Sequence, residues 1–327
     1  MATQINNNEY CGMLTQSLSE LITIGANDYS LWHIDASTPL GGNKVRMAYV
    51  DADVELQEID GLCSFQDLGD VEVSYMNLTL KELGTQQSIC KSDLYATDFG
   101  SAGNGFLNQE VDADLLNKWA LKFSNKFSKA AQRERWSGDV TISGSTMDGI
   151  VKQVKAKGAY DAATNPTGYR QVANTAITSA NVIEEMKKVL DELPFEVTSH
   201  PMFKLVIAPK VAAALRSRVM LPSTVNNLPQ LNFDVNTGRV TDNFFGYNVY
   251  MAEGLNSPLV PANNNIVMGG IFGEDEVSSI KAAFNRPTDE KMVEIKDVQD
   301  GDFVRIRVAT GQDVSVIPNA SQIAMNA

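Results

Sequence analysis

The chain has 327 residues and a mass of 35.6 kDa, and its 43% hydrophobic content suffices for a sizeable core and excludes a disordered chain. Its 27 basic and 40 acidic residues give a formal net charge of −13, which excludes a protein that wraps nucleic acid with its whole surface, because phosphate contact needs positive charge. Only two histidines (His33, His200) and three cysteines (Cys11, Cys63, Cys90) are present, too few for a typical His/Cys metal centre or a disulfide framework. No apolar run approaches the roughly 20 residues of a membrane span, and the first residues, Met-Ala-Thr-Gln-Ile-Asn-Asn-Asn, lack the basic region and apolar run of a signal peptide. A soluble protein of a reducing cytoplasm is expected.

In chain order, Met13, Leu14, Leu18, Leu21 and Ile22 predict a short amphipathic helix within 10–24. Pro-Leu-Gly-Gly-Asn at 39–43 breaks the chain, and 45–95 reads as extended. There Val71, Val73 and Tyr75 alternate with Glu72, Ser74 and Met76, and Leu78 and Leu80 continue the strand pattern. This stretch has no core-like apolar density and resembles a β-rich excursion. Gly-Ser-Ala-Gly-Asn-Gly at 100–105 is the next break.

The strongest element follows. Between about 109 and 136 there is no Pro or Gly, and Leu116, Trp119, Ala120, Phe123, Phe127, Ala130 and Ala131 share one helical face. Lys118, Lys122, Lys126, Lys129 and Arg133 form a separate basic stripe. Glu110, Asp112 and Asp114 at the start and Lys129, Arg133 and Arg135 near the end suit the helix dipole. The predicted helix is about 40 Å long and stops at Ser137-Gly138-Asp139.

Residues 139–160 read as strand-like pieces. A helix is predicted over 179–193, with Val182, Ile183, Met186, Val189, Leu190 and Leu193 on one side and Pro194 ending it. Phe203–Ile207 is an apolar strand, and Pro209 opens a helix running to 220. The Asn-, Pro-, Gly- and Thr-rich stretch 221–246 reads as a long exposed loop. Tyr247–Met251 and 265–268 are strand candidates, and 274–284 is a helix candidate. The end reads as strand 292–298, tight turn at Asp300-Gly301, strand 303–308, turn at Gly311 and strand 314–318. In the middle strand Val304, Ile306 and Val308 alternate with Phe303, Arg305 and Arg307.

Charge is uneven along the chain. Residues 1–100 hold 15 acidic and 4 basic residues, a net of −11. Residues 101–160 hold 6 and 9, a net of +3, and the remainder holds 19 and 14, a net of −5. Such asymmetry suggests that different parts face different neighbours.

Chemistry-bearing residues form no convincing constellation. His33 sits in apolar Leu31-Trp32-His33-Ile34 and reads as a packed side chain. Ser199 and His200 are adjacent, and neighbours in sequence rarely point at one another. No Gly-x-Ser-x-Gly elbow occurs. Residues 265–273 (Asn-Ile-Val-Met-Gly-Gly-Ile-Phe-Gly) resemble a dinucleotide fingerprint but carry Met268 where the tight turn needs glycine, so a strand-to-helix connection is the better reading. A phosphate site after 100–105 is disfavoured by Glu110, Asp112 and Asp114. Cys63 and Cys90 read as ordinary thiols. Asp51, Asp53 and Glu55 alternate on a strand and could hold a hard cation, but a solvated acidic face fits better without the glycine of a calcium loop. The basic stripe of Lys118, Lys122, Lys126, Lys129 and Arg133 is the polar feature to retain, as a solvated face or as a contact for an acidic neighbour or nucleic acid.

The order of elements, an acidic N-terminal arm, an extended excursion, one very long helix, a compact α/β region and a β-rich return, resembles the tailed-bacteriophage major capsid protein, the Hong Kong 97-like fold shared by encapsulins. Residues 203–216 (Phe-Lys-Leu-Val-Ile-Ala-Pro-Lys-Val-Ala-Ala-Ala-Leu-Arg) look like that family's strand, proline and helix, 245–254 (Phe-Gly-Tyr-Asn-Val-Tyr-Met-Ala-Glu-Gly) look like a later strand of the same domain, and 303–318 resemble the closing strands. The resemblance implies an α+β fold: N-terminal arm 1–45, extended loop 46–98, peripheral domain 99–165 with a spine helix at about 109–136, axial domain 166–269 and peripheral return 270–327. It implies hexameric and pentameric capsomers closing into an icosahedral shell around double-stranded DNA, with portal, scaffold or cementing proteins as partners and no membrane. The implied location is the virion, assembled in the bacterial host cytoplasm. No enzyme activity, catalytic residue, cofactor or metal is expected. Two other readings stay open: an encapsulin-like compartment, and an α/β enzyme using carboxylates or the glycines at 269–273.

Overall fold

The computed structural model describes residues 31–34, 44–52, 71–90, 113–173, 175–220, 233–234, 239–240, 243–244, 246–284, 293–298 and 303–326. The expected helix at 10–24, the breaks at 39–43 and 100–105, the Asp300-Gly301 turn, and Cys11, Cys63, Asp53, Glu55, Glu110 and Asp112 lie outside these residues.

The strands are β1 (His33–Ile34), β2 (Lys44–Ala52), β3 (Val71–Thr79), β4 (Lys81–Cys90), β5 (Arg170–Val172), β6 (Phe203–Ile207), β7 (Phe233–Asp234), β8 (Arg239–Val240), β9 (Asn243–Phe244), β10 (Tyr247–Met251), β11 (Val267–Ile271), β12 (Ile280–Phe284), β13 (Val293–Val298), β14 (Phe303–Val316) and β15 (Ala324–Asn326). Five α-helices are described: α1 (Ala113–Ser137), α2 (Ile150–Ala156), α3 (Val182–Asp191), α4 (Phe195–Thr198) and α5 (Pro209–Met220).

One sheet has five strands, ordered β1-β12-β14-β13, with β4 also paired to β14. Its backbone is β14, whose 14 residues pair antiparallel with β4 from Phe303 to Gln312, with β13 from Phe303 to Val308 and with β12 from Gln312 to Val316. The second sheet is mixed and ordered β5-β15-β11-β6-β10-β9. Its central strand β6 is buried along almost its whole length, as a continuous apolar run should be when both faces are covered. Helix α3 packs against β11, β15 and α5 and buries Val182, Met186 and Val189, while α5 buries Val211, Ala212 and Leu215. A single hydrophobic cluster runs through both sheets and the end of α1.

Helix α1 is 25 residues long and begins at Ala113. It buries Ala120, Phe127 and Ala131, with Trp119 and Phe123 packed at the margin, while Ala130 is exposed. The same inner face buries Ser124, Ser128, Gln132 and Arg135, polar residues that the apolar pattern does not reveal. Glycines let other segments approach α1 closely. A Cβ on Gly254 would stand 2.5 Å from Trp136 Cδ1, and Ser137 Oγ donates to the Gly254 carbonyl at 2.9 Å.

Several expectations are corrected. Residues 139–160 form turns and helix α2 rather than strands: Gly149 N–H donates to Gly138 O at 2.8 Å, and Ile150, Val151 and Val154 then fall on one buried helical face despite their β-branched character. Residues 274–284 form no helix. Their end is strand β12, whose pairing with β14 and burial of Ile280, Ala282 and Ala283 override the helical propensity of alanine. Gly311 makes no turn, because it lies inside β14 opposite Glu82. The second strand of the 265–268 region starts later, at Val267, after a 3-10 turn over Pro261–Asn265. The stretch 221–246 contains β7, β8 and β9, and Phe244 is fully buried, so it is not all exposed loop. In β3 the buried face is the one carrying Met76 and Leu78, whereas Val73 and Tyr75 are 49% and 55% exposed. The final β15 joins the second sheet beside β11 and β5.

Candidate functional site

Ser199 and His200 do not bond to each other. His200 Nδ1 accepts from the Met202 N–H at 3.2 Å, and Ser199 Oγ donates to the Glu196 carbonyl at 3.3 Å, so both side chains serve the local turn. His33 lies on β1 opposite Lys281. Gly269 and Gly270 lie within β11, where a Cβ on Gly269 would press Leu193 Cδ1 at 2.9 Å, so their role is close packing under α3 rather than a phosphate turn. Asp51 pairs in register with Glu72 on β3. Cys90 is a half-buried thiol at the end of β4. Among the described residues, no three His, Cys, Asp or Glu side chains converge as metal ligands, and no helix is long and apolar enough to cross a membrane.

What stands out instead is a ribbon and a helix face. Strands β2 and β3 pair over nine residues each, from Lys44↔Thr79 to Ala52↔Val71. Among the described side chains, Val45, Met47, Met76 and Leu78 at the base of this ribbon join Leu80, Ala283 and Ile317 in a small cluster. There the Thr79 N–H donates to Asp313 Oδ2 at 2.7 Å, and the Val314 N–H donates to Asp313 Oδ1 at 2.9 Å. Burial holds the Asp313 carboxyl above the ordinary carboxylate range despite these bonds. Tyr75 is covered on one side by Arg46, whose guanidinium carbon stands 3.9 Å from the ring centroid, and is otherwise open with Val73.

On α1, Lys122, Lys126, Lys129 and Arg133 are all exposed, opposite the buried face. Lys118 lies on the same helix row by its spacing. Lys129 makes an ion pair with Glu253 at 3.5 Å, between two well-exposed side chains.

The far end of α1 is anchored by a buried cluster that the sequence does not announce. Trp32 packs edge-on to Trp136 at 5.9 Å and stacks on Phe284 at 6.1 Å. Arg135 lies over Trp32 at 5.2 Å and donates through Nη1 to Gln312 Oε1 at 2.7 Å. Gln312 Nε2 donates onward to the Ala131 carbonyl at 3.3 Å. The one visible signal is the apolar context of Trp32.

The following turn is tied by charge. Lys152 Nζ lies 2.6 Å from Asp139 and 2.7 Å from Asp148. Hydrogen bonds from Lys152 and Thr141 hold the Asp139 pKa down at about 2. A depressed carboxyl contributes stability that is complete above its unfolded value of 3.8 and is lost as pH falls towards about 2. Asp139→Asn should therefore flatten the fall in thermal midpoint between pH 4 and 2, measured by circular dichroism melts across that range; an unchanged slope would refute this account.

No protein-family model matches the sequence, and no curated protein matches it. Solved structures match along nearly its whole length. A chain from the capsid of a native GTA particle has 13% identity and a TM-score of 0.58, covering 94% of this chain and 89% of its own. A chain of Gordonia phage Cozz has 11% identity and a TM-score of 0.54, covering 94% and 85%. A chain from the satellite phage P4 procapsid including size determination protein has 10% identity and a TM-score of 0.51, covering 99% and 92%. The chain therefore has the mixed α/β fold found in phage capsids.

Proposed function

We propose that this chain is the major capsid protein of a tailed double-stranded DNA phage, built on the Hong Kong 97-like plan and assembling through hexamers and pentamers into an icosahedral shell. The observation that carries this reading is the full-length correspondence with capsid chains, 94% of this chain against 89% of the GTA capsid chain. The ribbon adds a physical reason. The nine-residue pair of strands leaves apolar Val73 and Tyr75 in water, and such surface is expected to be covered by a neighbour.

On this reading residues 1–45 are the arm, 46–98 the extended loop containing the ribbon, and 99–165 the peripheral domain with α1 as spine. Residues 166–269 are the axial domain with the second sheet, and 270–327 return to the peripheral domain before β15 ends in the axial sheet. The role is mechanical rather than catalytic. Its partners are copies of itself, a portal, scaffold or cementing proteins, and DNA that the shell confines without reading. The place of action is the virion, after assembly in the host cytoplasm.

Negative-stain microscopy of the purified protein tests this. Shells, tubes or hexameric rings are the expected result. A species that stays monomeric at high concentration, even with lysate or scaffold added, refutes it.

A further inference from the structure

We propose that the turn carrying Phe195, between α3 and β6, docks on helix α5 of a second copy of this chain. The exposed Phe195 ring sits on the small side chains of α5, and the carboxylates beside it face that helix's cations. The inference rests on the capsid reading and names one contact between neighbouring subunits of a ring.

Phe195 is the most exposed large apolar side chain among the described residues, at 81%. A fixed backbone displays it. Pro194, extended at the N-cap of α4, precedes it, and Val197 two residues on is buried. The turn is closed by bonds from Thr198 N–H to Pro194 O at 3.1 Å and from Ser199 N–H to Phe195 O at 2.8 Å. An aromatic ring held out in water is the kind of anchor that interfaces are enriched in. Asp191, Glu192 and Glu196 beside it are all exposed, and none makes an ion pair among the described residues. Between Lys188 and Lys204 there is no lysine or arginine.

Helix α5 is the complement. Between Glu196 and Asp234 there is no acidic residue, and α5 carries Lys210, Arg216 and Arg218. Lys210, Ala213 and Ser217 are exposed and fall on one helical row, so a ring that approaches beside the cations meets only a methyl and a hydroxymethyl group. Lys210 to Arg218 extends about 12 Å along the helix, enough to face several carboxylates. None of the three cations makes an ion pair among the described residues, and Arg216 Nε is buried without an acceptor. Helices α3 and α5 pack against each other within the subunit, yet the carboxylates beside Phe195 and the cations of α5 do not pair there. A head-to-tail contact pairs them between copies and satisfies every copy once the ring closes.

Charge-reversal exchange tests this. The helix variant carries Lys210→Glu and Arg218→Glu; the turn variant carries Asp191→Lys, Glu192→Lys and Glu196→Lys. Each should keep the wild-type melting midpoint, yet lose capsomer assembly by about tenfold or more at physiological salt. Mixed in equal amounts, they should assemble together into rings of even number, because each turn then meets a helix of opposite sign. Phe195→Ser should also keep the midpoint and lose assembly, with Val277→Ser as the control at another exposed apolar side chain. Wild-type levels of assembly by either charge variant alone overturn the proposal, as does a loss no greater for Phe195→Ser than for Val277→Ser. So does failure of the mixture; if a chain carrying all five charge changes then assembles, the pairing lies within one subunit. So does a helix variant that assembles fully and loses only co-purified DNA, which makes nucleic acid the occupant. In each of these cases the wild type still assembles; a wild type that never does refutes the capsid reading itself, and this proposal with it.

Discussion

Trp32→Ala is expected to cost about 3–5 kcal/mol of folding stability, the range for truncating a fully buried aromatic side chain. Against a total of roughly 5–15 kcal/mol for a domain, this leaves a subunit near its threshold. Trp32 is 1% exposed and joins two elements, α1 and β12, through three side chains. It is edge-on to Trp136 of α1, stacked on Phe284 of β12, and beneath the Arg135 guanidinium. Its removal leaves a cavity at the joint of the long helix and the first sheet, and takes an aromatic face away from a buried cation. The measurement is chemical denaturation of the unassembled subunit, with Val73→Ala as a surface control that should change stability by about 0.5 kcal/mol or less. The same residue divides the N-terminal region. Truncation ending at residue 28 spares Leu31, Trp32 and β1 and should keep the melting midpoint. Truncation ending at residue 34 removes Leu31, Trp32 and β1 and should unfold the subunit. The whole stretch 1–45 is thus not separable from the core, because its residues 31–34 are stitched into it. Equal melting midpoints for the two truncations would refute this.

Gly138→Ala is the second change with a large expected effect, about 1–3 kcal/mol and towards the upper end. A Cβ there would stand well inside contact distance of both the Met147 and Glu134 carbonyl oxygens, and both are backbone. No side-chain rotation relieves that, so the crossing between the end of α1 and the start of α2 must open. Opening it strains the bond from Gly138 N–H to Glu134 O at 2.9 Å and the bond from Gly149 N–H to Gly138 O at 2.8 Å. Gly149→Ala should behave alike, since its Cβ would lie 2.6 Å from Gly138 N, and the two changes together should cost less than their sum because they open one crossing. Gly84→Ala is the control: its Cβ would meet Val308 O at 3.6 Å and Ala309 Cβ at 3.7 Å, ordinary contacts, so little change is expected. Similar midpoints for Gly138→Ala and Gly84→Ala would show that the crossing tolerates a methyl group.

Elements whose identity is set by local pattern were legible in the sequence. The 3.6-residue spacing of α1, the apolar run of β6 and the proline that opens α5 each correspond to the structure within a few residues. Elements whose identity is set by distant partners were not. Residues 280–284 contain Ala282 and Ala283 and look helical, yet β14, some thirty residues on, draws them into a sheet. Gly311 reads as a turn until β4, more than two hundred residues earlier, is seen to pair across it. The ribbon's parity is a subtler case. The alternation marks a strand without saying which face is buried: Met76 and Leu78 join the small cluster, while Val73 and Tyr75 on the other face are exposed. Among the polar features, the basic stripe was visible because its spacing is local. The buried Arg135–Gln312 link was not, because its partners lie 177 positions apart.

The pairing of β4 with β14 also imposes an order in time. Cys90 pairs with Phe303 and Lys81 with Gln312, so the partner of β4 is made more than two hundred residues later. At roughly 5–20 residues per second of synthesis, the wait is on the order of 10–45 s. Throughout that interval the strand that carries the ribbon has no sheet to join, and Asp313, which clamps its base, does not yet exist. A nascent chain therefore cannot fix the base of the ribbon until its own C-terminal strands leave the ribosome. The topology works as a clock: the ribbon is anchored only after the C-terminal strands are made.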